Sequence, residues 1–108
     1  MQEYLHVRDK QGNTPLHWAA YLNQFNVTTL LLSLSASTDL LDHEGNTPLH
    51  IAVMNNHPKI IKQLLANSAR TSARGTYYLL SVENSHKRTA LDIAKEERLD
   101  EKIGRAHV

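Results

Sequence analysis

Cysteine is absent from this chain of 108 residues, and tryptophan and phenylalanine occur once each. Without a thiol, the chain can form neither a disulfide nor a thiolate metal site. No apolar run reaches the roughly 18–20 residues that span a bilayer, and the N-terminus lacks the basic-then-apolar order of a signal peptide. We therefore expect an intracellular protein, cytoplasmic or nuclear, with a secreted effector as the alternative.

A strong charge of either sign is also missing, since 12 Lys and Arg nearly balance 11 Asp and Glu. The net charge of +1 gives no electrostatic basis for binding nucleic acid. The charge is mildly uneven, because residues 1–54 contain two basic and five acidic side chains (−3) and residues 55–108 contain ten and six (+4). We expect a folded monomer without nucleic-acid or membrane partners, unless the chain is a cut fragment.

An octapeptide that occurs twice defines the organisation of the chain. Gly12–Ala19 reads GNTPLHWA and Gly45–Ala52 reads GNTPLHIA. Their threonines are 33 residues apart (47 − 14), and a weaker copy begins at Thr89. Self-similarity at a fixed spacing of about 20–50 residues indicates a stacked repeat protein. The repeat therefore points to a binding scaffold and not to a catalyst.

Each copy contains a turn followed by a helix start. Glycine supplies the positive φ of the turn, Thr is the N-cap and Pro takes the first helical position. We expect His17 and His50 to complete each cap by pairing with Thr14 and Thr47. Apolar residues at spacings of three and four then predict a longer second helix in each unit, with faces formed by Val27, Leu30, Leu31 and Leu34, and by Ile60, Ile61, Leu64 and Leu65.

The third copy begins nine residues late, since Thr89 follows Thr47 by 42 residues (89 − 47) and not by 33. The excess falls within residues 70–83, where Thr76–Val82 is rich in strand-forming residues. We predict an enlarged, hairpin-like finger that forms its own small sheet. A short extra helix is the alternative.

The pattern D-x-x-G-x-T-P-L-H-x-A at this period resembles the ankyrin repeat. The resemblance is strong over residues 9–65, moderate over 84–103 and absent from the insertion. It implies an all-α solenoid of stacked helix-turn-helix units with β-turn or hairpin fingers. We expect one domain over residues 1–108, with repeats at about 9–41, 42–83 and 84–108, the third of them degenerate.

The resemblance also implies reversible binding of another protein on a concave face, built from the finger tips and the exposed side of each first helix. We interpret the chain as an adaptor or inhibitor. The alternatives are a mainly structural fragment of a larger ankyrin array, and a viral or bacterial host-directed mimic of a transcription-factor inhibitor. The positions that the family varies to choose partners are here Arg8, Lys10, Gln11, Asn13, Tyr21, Leu22, Leu41, His43, Glu44, Asn46, Val53, Met54, Ser85, His86, Arg88, Glu96 and Glu97.

Two departures from the family pattern add candidates. The insertion contributes Arg74, Tyr77 and Tyr78, because Arg and aromatic residues dominate binding hot spots. Trp18 stands where the family has a small aliphatic residue, and we expect it to pack between helices. The alternative is an exposed anchor beside Tyr21.

The seven histidines do not indicate a metal site. His17 and His50 occupy equivalent positions on packed helices about 8–10 Å apart, and the motif directs both rings the same way, whereas Zn–N bonds are about 2.0–2.1 Å long. Neither a nucleophile elbow nor a glycine-rich phosphate loop occurs. We expect no catalytic residue, no metal and no cofactor, and hence no enzyme.

Overall fold

The computed structural model describes residues 2–97, and side chains from residue 4 onward. Regular structure among these residues is entirely helical, which confirms the all-α prediction. It consists of a 3-10 helix (Gln2–His6) and the α-helices α1 (Pro15–Tyr21), α2 (Phe25–Ser33), α3 (Pro48–Met54), α4 (Pro58–Ala66), α5 (Ser68–Thr71), α6 (Thr76–Ser81) and α7 (residues 90–97). The second helix expected in the third repeat falls outside the described residues.

Both full copies of the motif begin a helix with the expected cap. In the first copy, the Thr14 hydroxyl accepts the His17 N–H at 3.4 Å, and Nδ1 of His17 accepts the Thr14 N–H at 3.1 Å. In the second copy, Thr47 and His50 make the same two bonds at 3.2 and 3.1 Å. The prediction that each histidine caps its own helix is confirmed.

The same histidines join successive repeats. Nε2 of His17 lies 2.8 Å from the Asn46 carbonyl oxygen, and Nε2 of His50 lies 3.1 Å from the Arg88 carbonyl oxygen. Because Nδ1 already accepts an amide proton, Nε2 carries the ring proton and donates it to that carbonyl. Both rings are almost completely buried. Each imidazole thus connects the start of one helix to the turn of the next repeat.

The helices stack as two antiparallel pairs. α1 packs on α2 and α3, α3 packs on α4, and α2 packs on α4. The buried alanines Ala19, Ala20 and Ala52 lie in α1 and α3, where small side chains let neighbouring backbones approach closely. The larger members of the core are Leu16, Leu31, Leu32, Leu49, Ile60, Leu64 and Leu79.

The apolar face predicted for α2 is only partly buried. Leu31 lies in the core, whereas Val27, Leu30 and Leu34 are exposed. Leu30 lies 33 residues before Gln63 and therefore occupies the equivalent position in the preceding repeat. The side-chain amide of Gln63 donates to the Thr29 hydroxyl of α2 at 2.5 Å. The exposed side of α2 therefore corresponds to the side of α4 that packs on α2. No helix among the described residues packs on this side of α2.

The insertion is helical, so the prediction of a hairpin-like finger with its own sheet is wrong and the alternative of an extra helix is right. Gly75, at φ 92°, precedes α6. Leu79 of α6 is fully buried, and Tyr78 and Leu80 pack against the core. Strand propensity is weak and context-dependent, and burial of an apolar helix face against the stack outweighs it here.

Polar contacts hold the insertion against the loop and helix before it. Asp39 accepts the Ser72 hydroxyl at 2.5 Å and the Arg74 backbone N–H at 3.1 Å. Nη1 of Arg70 donates to the Leu32 carbonyl oxygen at 2.7 Å. The added residues therefore belong to the packed body of the protein and do not project from it as a finger.

We expect Leu79→Ala to lower the free energy of unfolding by about 2–5 kcal/mol, because it leaves a cavity at a fully buried site. The matched control is Tyr77→Ala on the same helix, where the side chain is 82% exposed and the cost should stay below about 0.5 kcal/mol. Urea denaturation measures both. Equal, small costs for the two variants would show that α6 does not contribute to the core.

Stability should fall on mild acidification. Burial lowers the pKa of His17 and His50 below the ordinary value of 6.5, although their carbonyl partners oppose this shift. The unfolded chain then binds more protons than the folded chain just below pH 6.5, so the free energy of unfolding decreases as the pH falls through this window. Urea midpoints measured from about pH 7.5 to about pH 5.5 should show this decrease.

Replacing both histidines by Gln, which can still cap a helix, should flatten this pH dependence. Exposed His43→Gln is the control and should retain it. A wild-type stability that is constant or rises on acidification would contradict the role of the two neutral rings.

Candidate protein-binding groove

The turns before α1, α3 and α7 form three short fingers, residues 9–13, 42–46 and 84–88. In the first, Oδ1 of Asp9 accepts the backbone N–H groups of Gln11 and Asn13, both at 2.9 Å. Asp42 and Asn84 hold the second and third fingers in the same way. The pKa of Asp9 is lowered, mainly by the hydrogen bond that its carboxylate accepts from the Asn13 N–H. The Asp9 carboxylate is therefore charged at neutral pH.

Hydrogen bonds join neighbouring fingers into a row. The His43 N–H donates to the Gln11 carbonyl oxygen, and the Ser85 N–H donates to the Glu44 carbonyl oxygen, both at 2.9 Å. The His43 ring lies so close to Gly12 that an added Cβ would meet its Cδ2 at 2.6 Å. The finger row is therefore a connected structure that offers a preformed surface.

A groove of about 290 Å³ lies between this row and the first helices. Finger residues form one side, and residues of α1 and α3 form the other. The lining residues are Gln11, Asn13, His17, Trp18, Tyr21, Asp42, Glu44 and Ile51. Carboxylates, amides and two aromatic side chains thus line the same groove.

Trp18 and Tyr21 form the aromatic side of the groove. They lie three residues apart on α1, where side chains share a face, and their ring centroids are 5.8 Å apart at an interplanar angle of 87°. Trp18 is 43% exposed and Tyr21 is 51% exposed. Nε1 of Trp18 donates to Oδ2 of Asp9 at 2.8 Å. The expectation that Trp18 packs between helices is wrong, and the alternative of an exposed residue beside Tyr21 is right.

The structure brings together four of the predicted contact residues, Gln11, Asn13, Tyr21 and Glu44, along this groove. Other predicted contacts are exposed on the fingers or first helices outside its lining; these are Lys10, Leu22, His43, Met54, Ser85 and His86. Sequence reasoning did not place Asp42, Ile51 and His17 in the groove. These residues enter the groove because the repeats stack on one another, and a local sequence motif does not predict which residues the stacking brings together.

Two predicted contacts are buried, so the prediction that they are exposed is wrong. Asn46 is only 2% exposed, because its Oδ1 accepts the Asn84 Nδ2–H at 2.9 Å between two fingers. Val53 is only 7% exposed, because it lies on the side of α3 that faces the core.

Two predicted arginines have partners within the protein. Nη1 of Arg8 donates to the carbonyl oxygens of Leu41 at 2.6 Å and of Gly12 at 3.0 Å. Nε of Arg88 lies 2.5 Å from a carboxylate oxygen of Glu96. Both side chains are exposed: Arg8 joins the first finger to the residue before the second, whereas the Arg88–Glu96 pair joins the third finger to α7.

The three candidates from the insertion lie apart from the groove lining. The Arg74 guanidinium is 5.0 Å from the centre of the Tyr78 ring, and Tyr78 is half-buried beneath it. Tyr77 is the most exposed large apolar side chain of this segment. The insertion therefore presents a separate surface.

A second groove, about 960 Å³ and largely apolar, lies among α3, α4, α6 and α7. It reaches Glu97, where the described residues end, and of the predicted contacts it contains Val53 and Glu97. The finger groove is thus the one that collects the predicted contacts.

Comparison with known families agrees with the geometry. A family model described as ankyrin repeats (3 copies) matches residues 2–75 and 37–101. Together these matches cover residues 2–101, so the chain belongs to the ankyrin-repeat family. Ankyrin repeats are generally protein–protein interaction modules.

In the described part of the chain, residues 2–97, no helix is long and apolar enough to cross a membrane. That part of the chain also contains no group of three or more His, Asp or Glu side chains that could hold a metal ion.

We expect Asn46→Ala to lower the free energy of unfolding by about 1–3 kcal/mol, because it leaves the buried Asn84 amide without its acceptor. Gln11→Ala, at an exposed finger position, should change it by less than about 0.5 kcal/mol. Thermal or urea unfolding compares the two. An equally small effect for Asn46→Ala would mean that the Asn46–Asn84 bond does not stabilise the finger row.

Proposed function

We propose that this protein is an adaptor or inhibitor that binds one protein partner in the finger groove. The observation that carries the proposal is the half-exposed pair Trp18 and Tyr21, which lies beside a hydrogen-bonded row of fingers. Exposed aromatic side chains surrounded by polar groups are the typical composition of an interface centre and its rim. Tryptophan and tyrosine are also the residues most enriched among binding hot spots.

The fingers favour docking with little backbone change. Their backbones are held both within each turn and between turns, so a partner does not have to order them. Interfaces on such preformed surfaces usually shift by less than about 1 Å. The ordering entropy that opposes binding is therefore small.

The finer organisation of the chain belongs to the same proposal. We infer a single domain with repeats at about 9–41, 42–83 and 84–108. Within it, the first two repeats form the groove. The helical insertion extends the second repeat and packs against its core.

The test is affinity capture from cell lysate with the wild-type chain and with Trp18→Ala, followed by calorimetry with each purified captured protein. We expect the partner to be lost with Trp18→Ala, with an affinity at least about tenfold weaker, as truncation of a hot-spot aromatic residue gives. Thermal unfolding of the variant verifies that it is folded.

Leu30→Ala is the matched control, because it removes a large exposed apolar side chain from α2, away from the groove. It should leave the affinity unchanged. Loss of the partner with Leu30→Ala, and retention with Trp18→Ala, would place binding on the α2 face and contradict the proposal.

A further inference from the structure

We propose that the finger groove receives a cationic side chain, arginine or lysine, of the protein partner. This inference rests on the proposed function and specifies the chemistry of the partner residue that enters the groove. It follows from three features: two aromatic side chains in the lining, two carboxylates in the same lining, and the absence of Lys and Arg among its described residues.

The aromatic side chains provide the first feature. The Trp18 and Tyr21 planes are nearly perpendicular, at 87°, so the two rings form a corner and not a flat stack. A cation near such a corner is attracted by the negative face of an aromatic ring, and tryptophan gives the strongest attraction. The bond from Nε1 to Asp9 fixes the indole beside a carboxylate.

The carboxylates provide the second feature. Glu44 lines the groove from the second finger, is exposed, and its side chain makes no hydrogen bond or ion pair with the described residues. Asp42 also lines the groove, and only its Oδ1 is used, by the N–H groups of Glu44 and Asn46. One free carboxylate and one free carboxylate oxygen are thus available to accept from a guanidinium or an ammonium group.

The charge balance provides the third feature. Within the described part of the chain, the groove lining contains Asp42 and Glu44 but neither Lys nor Arg. His17 is buried with its Nδ1 accepting an amide proton, so it is neutral. The nearby Arg8 guanidinium donates to the carbonyl oxygens of Gly12 and Leu41, and its positive charge is offset by the adjacent Asp9 carboxylate, since both charges act on His17 with opposite sign. The groove therefore has a charge of −2 and is complementary to a cation.

Binding in this groove can be followed through Trp18, because it is the only tryptophan in the chain. Its indole N–H gives one assignable signal in a proton–nitrogen correlation spectrum. The probes are acetyl-arginine methylamide and acetyl-lysine methylamide, and acetyl-citrulline methylamide is the neutral isostere of the arginine probe. All three are titrated at matched ionic strength, because salt screens exposed charges.

We expect both cationic probes to shift the Trp18 indole signal in a saturable way, and citrulline to bind at least about fivefold more weakly, since it lacks the charge that the rings and carboxylates attract. Glu44→Gln should weaken the cationic probes by about threefold or more. Glu83→Gln, an equal change of net charge at an exposed position outside the groove, should have no effect.

Equal binding of citrulline and arginine, or equal effects of Glu44→Gln and Glu83→Gln, would overturn the inference. So would the absence of any saturable shift of the indole signal with the cationic probes. These outcomes are distinguishable from failure of the proposed function. A partner whose capture depends on Trp18 but on none of its own Arg or Lys residues contradicts the cation site alone.

Discussion

The buried imidazoles of His17 and His50 are the contacts on which the arrangement of this protein depends. Each ring uses both nitrogens: Nδ1 accepts an amide proton at the start of its own helix, and Nε2 donates to a carbonyl of the following finger. One side chain thus fixes a helix start and the distance to the next repeat. Because the bonds require one neutral tautomer, the spacing of the fingers is coupled to the protonation of two buried groups.

The finger groove is a consequence of this spacing. Finger and helix residues from two repeats line it, so its shape exists only when the first two repeats are stacked. The residues that make the stack, such as Thr14, His17 and Asn46, are buried and satisfied. The residues free to interact, such as Trp18, Tyr21 and Glu44, lie where the two copies of the motif differ or where the motif ends. Fold and recognition are therefore carried by different positions of the same repeat.

Much of this could be predicted from the sequence, because the motif encodes local geometry. The caps, the helix starts and the row of turns follow from Gly, Thr, Pro and His at fixed positions. The insertion was predicted wrongly, because the β propensity of Thr76–Val82 is a weak local preference, whereas burial of Leu79 is a tertiary effect. Exposure was predicted wrongly for Trp18 and Asn46 for a similar reason. Their surroundings are set by Asp9 and Asn84, through contacts that no local pattern reports.

The proposed function requires that a protein partner covers the groove at Trp18. The most direct measurement is the fluorine NMR signal of the chain with fluorotryptophan at its single tryptophan position, recorded free and bound to the purified partner. We predict a shifted signal with a reduced solvent isotope effect in the complex, because the half-exposed indole becomes covered. A signal with unchanged position and solvent exposure in the saturated complex would contradict the account.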